Sequence, residues 1–180
     1  MKYWEINGNL ADSESGMSNF NTFLHVVCRV KAAYDAAFGL SIMNKVKLYV
    51  DNATEGSGYT PICTPVLEEL VVIKLGIYPG DSEAKIAYQF VHELTHFVFY
   101  CLCGLNKAFA DEEEEAICTA ASLIMIKLLY PQYLSTYTKH VRGLSNNGYR
   151  KGANLATQLN YDINALKRII EQKSSSYNVA

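Results

Sequence analysis

From Ser18 onward the apolar residues Phe20, Phe23, Leu24, Val27, Val30, Tyr34 and Ala37 recur at intervals of three and four, and Gly39 follows as a stop signal. That spacing predicts an amphipathic helix. Residues 45–51 (Lys-Val-Lys-Leu-Tyr-Val-Asp) alternate polar with β-prone apolar positions, and residues 69–75 (Glu-Leu-Val-Val-Ile-Lys-Leu) form a second β-prone run, so two strands are expected. Between them, residues 51–66 carry Asn52, Gly56, Gly58, Pro61 and Pro65 and read as a long turn-rich connection, a candidate substrate rim. A long apolar helix is predicted over residues 84–103, bounded by Pro79-Gly80, a cap at Asp81 or Ser82, Glu83 in the first turn and Gly104 as the stop. A further helix runs from about Asp111 to Leu129 before Pro131, and a short one spans 132–142. After a loop at 143–148, one last amphipathic helix starts at Tyr149 or Lys151, with an interruption near Asn160. Residues 1–16 read as a short strand or tether followed by a loop, and 1–16 and 174–180 are expected to be the least ordered parts. Helices segregated from a few strands place the chain in the α+β class.

Inside the long apolar helix, Phe90, Val91, Leu94, Thr95, Phe97 and Val98 are uncharged, which leaves His92, Glu93 and His96 as its ionisable groups there. Two histidines four residues apart lie on one helical face and can reach a single cation. Core histidines with an ion-paired glutamate are the structural alternative, but three polar groups on a helix that must be buried need partners, and a shared metal supplies one. Zinc takes imidazole nitrogens at roughly 2.0 to 2.1 Å and, in catalytic sites, three protein ligands plus water. Glu93 is then free to act as general base on that water.

The third ligand is expected from the acidic start of the next helix. Glu112, Glu113, Glu114 and Glu115 are each rotated by about 100° from the next, so helical phase selects among them. The small residues Ala116, Ala120, Ala121 and Ser122 would let this helix approach the histidine helix closely. Glu113 shares a face with Ala116 and Ala120 and is the first choice; Glu112, at spacing four and four, is the second. An acidic first turn also suits the helix dipole with no metal at all. Tyr130, Tyr133, Tyr137 and His140 are candidate oxyanion donors, none singled out. The strand at 69–75 leads almost directly into the histidine helix, where it could hold an extended peptide by main-chain hydrogen bonds.

With 180 residues, 49% of them hydrophobic, the chain suits one domain, 1–180, around a single core. Sixteen basic against eighteen acidic residues leave a net charge of −2, so neither nucleic acid nor an anionic membrane is an expected partner. The N-terminus has no apolar run of signal-peptide length, and Gly104 and Lys127 break the most apolar stretches, so a soluble cytoplasmic protein is expected. The five cysteines imply no disulfide framework, and Cys101 and Cys103 point to opposite sides of a helix.

With His92-Glu93-Leu94-Thr95-His96 followed by Glu113 on the next helix, the chain resembles the gluzincin metallopeptidases. Its short length, and Glu113-x-x-Ala116 leading to Ala120-x-x-Leu123-Ile124-Met125, look like the small ImmA/IrrE-type peptidases and other minimal gluzincins, over roughly residues 80–126. The resemblance implies a zincin-like domain with helices on a small mixed sheet and the His-Glu-x-x-His helix at its centre. It also implies Zn2+ and hydrolysis of a peptide or protein substrate by an endopeptidase. Two positions depart from the pattern. Ile117 stands where an Asp commonly orients a zinc-bound histidine, so another carboxylate or a carbonyl must do that, and Thr95 stands where a glycine often precedes the second histidine. The competing class is a non-catalytic peptide- or protein-binding module on the same scaffold.

Overall fold

The computed structural model describes residues 4–6, 16–52, 60–78, 80–107 and 109–177, with backbone alone for residues 4 and 16–19. A short strand, β1 (Trp4–Ile6), precedes the first helix, α1 (Gly16–Phe38). The three-four spacing of α1 becomes a buried stripe of Phe23, Val26, Val27, Val30, Tyr34 and Phe38. Gly39, at φ 86°, turns the chain into the short α2 (Leu40–Met43). Three strands follow: β2 (Lys47–Asn52), β3 (Ile62–Val66) and β4 (Leu70–Leu75).

The sheet order is β1-β2-β4-β3, with β1–β2 and β2–β4 parallel and β3–β4 antiparallel. The alternation in β2 and β4 sets the register: Leu48 pairs with Val71 and Val50 with Ile73, and all four side chains enter the core. One expectation needs correcting here. Residues 62–66 of the supposed connection form the outer strand, so β4 is paired on both sides and has no free edge for a peptide. The edge on that side is β3, which carries Pro65 where an edge strand tolerates it; β1 forms the other edge.

The apolar run forms α3 (Glu83–Cys103), with Ser82 as N-cap, its hydroxyl accepting from Lys85 N–H at 3.3 Å, and Gly104 at φ 90° as the stop. Every residue from Phe90 to Cys101 is buried, because neighbours cover this helix on all sides. The next helix, α4 (Glu112–Leu129), is capped by Asp111, whose carboxylate accepts from Glu114 N–H at 2.8 Å. Pro131 opens a 3-10 turn, and α5 (Leu134–Gly143), α6 (Asn147–Gln158) and α7 (Ile163–Tyr177) complete the chain. The last predicted helix is therefore two, broken where Asn160 and Tyr161 adopt φ of 50° and 59°. The fraying expected from Ser174 is absent over 174–177, where Ser174 is buried and α7 continues to Tyr177; 178–180 lie outside the described residues.

Among the described residues the architecture is α+β, seven helices and a small mixed four-stranded sheet, with α1, α4, α7 and β4 around α3. The buried side chains form one continuous cluster. No helix among them is long and apolar enough to cross a membrane. Helix α6 lies unusually close to α4: a Cβ added to Gly152 would stand 2.5 Å from Thr119 Cβ and 2.6 Å from the Ala116 carbonyl oxygen.

Candidate metal centre

The four-residue spacing on α3 brings His92 and His96 to one side, with ring centroids 5.1 Å apart and both residues buried. Their Nε2 atoms converge on a carboxylate of α4. His92 Nε2 is 3.2 Å from Glu115 Oε2, and His96 Nε2 is 3.5 Å from Glu115 Oε1. One donor atom from each of the three residues lies within 4.8 Å of the other two. Ligands about 2.05 Å from a tetrahedral zinc stand about 3.3 Å from each other; the two imidazole–carboxylate distances, 3.2 and 3.5 Å, lie close to that value, and the three donors together lie within 4.8 Å. Two imidazoles and one carboxylate are also a donor set that suits zinc better than magnesium or calcium.

The carboxylate that reaches the histidines is thus Glu115. Glu113 instead projects outward, its side chain 67% exposed, and pairs with Lys173 of α7 at 2.8 Å. Glu112, the second choice, faces α6, where it bonds Lys151 and accepts from Asn147 Nδ2 at 2.6 Å. The helix phase differs because Ala116, the small residue grouped with Glu113, serves a different neighbour, while Ser122 does face α3. Ala116 and Thr119 receive Gly152 of α6, whereas the face toward α3 is Glu115, Cys118 and Ser122, at i, i+3 and i+7. On that face Cys118 Sγ lies 3.4 Å from His96 Nδ1, and Ser122 Oγ donates to the Tyr88 carbonyl at 3.0 Å. The glycines spaced four apart in α6, Gly148 and Gly152, are the sequence signal that identifies the true partner of the small-residue stripe.

Glu114 supplies what Ile117 does not. Its fully buried carboxylate accepts from His96 Nδ1 at 2.7 Å through Oε1, and from Lys107 Nζ at 3.0 Å and Tyr177 OH at 2.9 Å through Oε2. With Nδ1 held by Glu114, the other nitrogen of the His96 ring is directed at Glu115.

Burial works against ionising Glu115, but hydrogen bonds from His92 and His96 override it and hold the carboxyl far below its ordinary range. Glu114 is lowered in the same way, burial being outweighed by His96 and Lys107. Burial also opposes charge on His96, and Cys118, Glu114 and Glu115 together push it well up. Because burial lifts the Cys118 thiol to about 12, that thiol is neutral and the two glutamates carry the effect. Glu93 is buried beside the same histidines; desolvation raises it, against the pull of His92 and His96.

His92 and Glu93 open onto a cavity of about 470 Å3. Lys85, Tyr88, Gln89 and His92 line it from α3 at i, i+3, i+4 and i+7, a floor about 10 Å long. Tyr137 and His140 of α5 form one wall, and Thr60 and Pro61, just ahead of β3, form part of the rim. The rim expected from residues 51–66 is represented by these two, since residues 53–59 lie outside the described ones. Of the four candidate oxyanion donors, Tyr137 and His140 line the cavity; Tyr130 and Tyr133 are not among its lining residues. Tyr149, which the pattern did not single out, stands edge-on to His92 at 5.7 Å between ring centroids and also lines the cavity. Its neighbour Gly148, pressed against the Glu112 carbonyl and Glu115 Cβ, is the local signal that this end of α6 meets the site.

No protein-family model, curated protein or solved structure matches this chain.

Proposed function

We propose that the chain is a zinc-dependent peptidase on a zincin-like scaffold, with His92, His96 and Glu115 as metal ligands and Glu93 as general base. The observation that carries this reading is the convergence of those three donors within 4.8 Å beside a cavity that Glu93 also lines. A bound zinc ion supplies Lewis acidity and a water acidified to about pKa 7. Glu93 accepts the proton of the attacking water at its carboxylate and hands it to the departing amine. Burial raises Glu93 above the ordinary carboxylate range, which makes it a stronger base toward that proton than an exposed glutamate. Tyr149, whose ring stands edge-on to His92 and lines the cavity, is the donor we assign to stabilise an oxyanion.

The outer edge of β3, unpaired among the described residues, supports a peptide substrate. It offers main-chain donors and acceptors next to the rim residues Thr60 and Pro61, so an extended chain can lie against it. The 10 Å floor along α3 then accommodates about three extended residues. The likeness to gluzincins supports the same chemistry, with the carboxylate ligand at Glu115 and Glu114 in place of the usual downstream Asp.

Glu93→Gln tests the reading, because it preserves shape and metal ligands while removing the base. The variant should hold about one zinc per chain and lose hydrolysis of an unstructured protein substrate. Equal hydrolysis by the variant and the native chain would end the proposal. Peptide binding with no hydrolysis by the native zinc form would instead favour the non-catalytic binding module.

A further inference from the structure

We infer that the end of α7, through Tyr177, and Lys107 from the α3–α4 connection form a clamp on Glu114 that positions His96 for its ligand role, an inference that rests on the metal site proposed above. Three separate parts of the chain meet at one carboxylate. His96 comes from α3, Lys107 from the connection to α4, and Tyr177 from the last described turn of α7. The Glu114 side chain is 0% exposed and the Lys107 side chain 2%, so both charges are removed from water. Lys107 is further enclosed by the rings of Tyr100, 4.9 Å from its ammonium, and Tyr177, at 5.5 Å.

A buried ion pair is a weak source of net stability, since desolvating two charges cancels most of their attraction. Its geometric effect is larger. With Oε2 held by two donors, the Glu114 carboxylate cannot rotate away from His96, and Oε1 stays 2.7 Å from Nδ1. Lys107 and Tyr177 are positioning residues that act through the Glu114 carboxylate they bond. Tyr177 also rests edge-on against Phe99 of α3, at 6.3 Å between centroids, which fixes the hydroxyl over the carboxylate.

Lys173 provides an internal comparison. It lies one turn earlier on α7 and ties that helix to the start of α4 through Asp111 at 2.6 Å and Glu113 at 2.8 Å. Its ammonium also lies 5.0 Å from the centroid of the Tyr177 ring, so its loss tests the packing of that ring while leaving the hydroxyl that bonds Glu114 in place. If α7 mattered only as a packed helix, loss of Lys173 would act like loss of the Tyr177 hydroxyl.

The test compares the full chain with Tyr177→Phe, Lys107→Met and Lys173→Ala. Zinc affinity is read by chelator competition, and the His96 ring by proton–nitrogen NMR of zinc-free, histidine-labelled protein. Tyr177→Phe keeps the ring on Phe99 and so separates the hydroxyl from folding. Tyr177→Phe and Lys107→Met should weaken zinc about 10-fold or more, in the range typical of outer residues that orient a ligand, with Lys173→Ala within about 2-fold of native. The His96 Nδ1–H signal, hydrogen-bonded and slow to exchange in the native chain, should exchange faster in the first two variants only. Unchanged affinity and an unchanged His96 signal in Tyr177→Phe would overturn the inference, as would an equal loss in Lys173→Ala. If the native chain binds no zinc, the metal reading fails, and the zinc-free His96 signal alone decides the clamp.

Discussion

Gly152→Ala probes the contact that sets the phase of α4, and with it the carboxylate presented to the histidines. An added Cβ would lie 2.5 Å from Thr119 Cβ, 2.6 Å from the Ala116 carbonyl oxygen and 2.9 Å from Thr119 Cγ2. Ordinary contact begins at 3.4 Å, so the nearest obstacle must retreat by 3.4 − 2.5 = 0.9 Å. Neither of the first two obstacles can rotate aside, because one is helix backbone and the other a Cβ, so α6 itself has to lift. Overpacking of this kind costs about 1–3 kcal/mol, and immovable obstacles place it near the top of that range. Replacing a helical glycine with alanine returns up to about 1 kcal/mol, leaving a net loss of about 2 kcal/mol. Gly143→Ala is the control: it also lies in a helix, nothing stands within 4 Å of its added Cβ, and it should be neutral or slightly stabilising. Urea unfolding reads both. A Gly152→Ala midpoint equal to or above that of the native chain would refute the close α4–α6 packing. Because α6 carries Tyr149, the variant should also weaken zinc-dependent hydrolysis where Gly143→Ala does not.

Zinc retention after dialysis distinguishes the acidic residues: Glu115→Ala should lose the ion and Glu113→Ala should keep it, since the exposed Glu113 carboxylate pairs with Lys173 at the surface. Retention by Glu115→Ala would remove α4 from the site. The zinc-free protein should lose stability as pH rises above neutrality. His96 is raised in the folded state, so its contribution is complete below the ordinary histidine value of about 6.5 and lost as pH climbs through the folded value. Glu114 and Glu115 are lowered, so their contributions are present above about 4.3 and lost as pH falls through their folded values. Zinc replaces the proton shared by these groups, so its stabilisation should grow with pH. Thermal midpoints with and without zinc across this range check both signs; a zinc-free midpoint that rises as pH climbs above about 6.5 would contradict them.

The histidine pair and its helix were legible because two strong constraints coincide there: an apolar run that must be enclosed, and a four-residue spacing that aligns two imidazoles. The caps of α3 and the alternation of β2 and β4 were legible for similarly local reasons. β3 was hidden because Pro61 and Pro65 resemble loop signals. Its hairpin also turns at Leu67 and Glu68, which take φ of 51° and 58° without the glycine or asparagine that usually marks such a turn. The choice among four adjacent glutamates was beyond local pattern, because it depends on which neighbour each face of α4 meets. The stripe at Ala116 and Thr119 faces α6, and only the pairing with Gly148 and Gly152 reveals that. Glu114 orients His96 from a position that follows no simple spacing rule, and Tyr177 reaches it from 63 residues away in sequence.

The most direct test of the metal centre is anomalous diffraction at the zinc edge from crystals of the full chain grown with zinc. A single strong peak is expected at roughly 2.0–2.2 Å from His92 Nε2, His96 Nε2 and a Glu115 oxygen, with Glu114 still on His96 Nδ1. Absence of zinc from this site, or a peak coordinated by His96 Nδ1 and Cys118 instead, would contradict it.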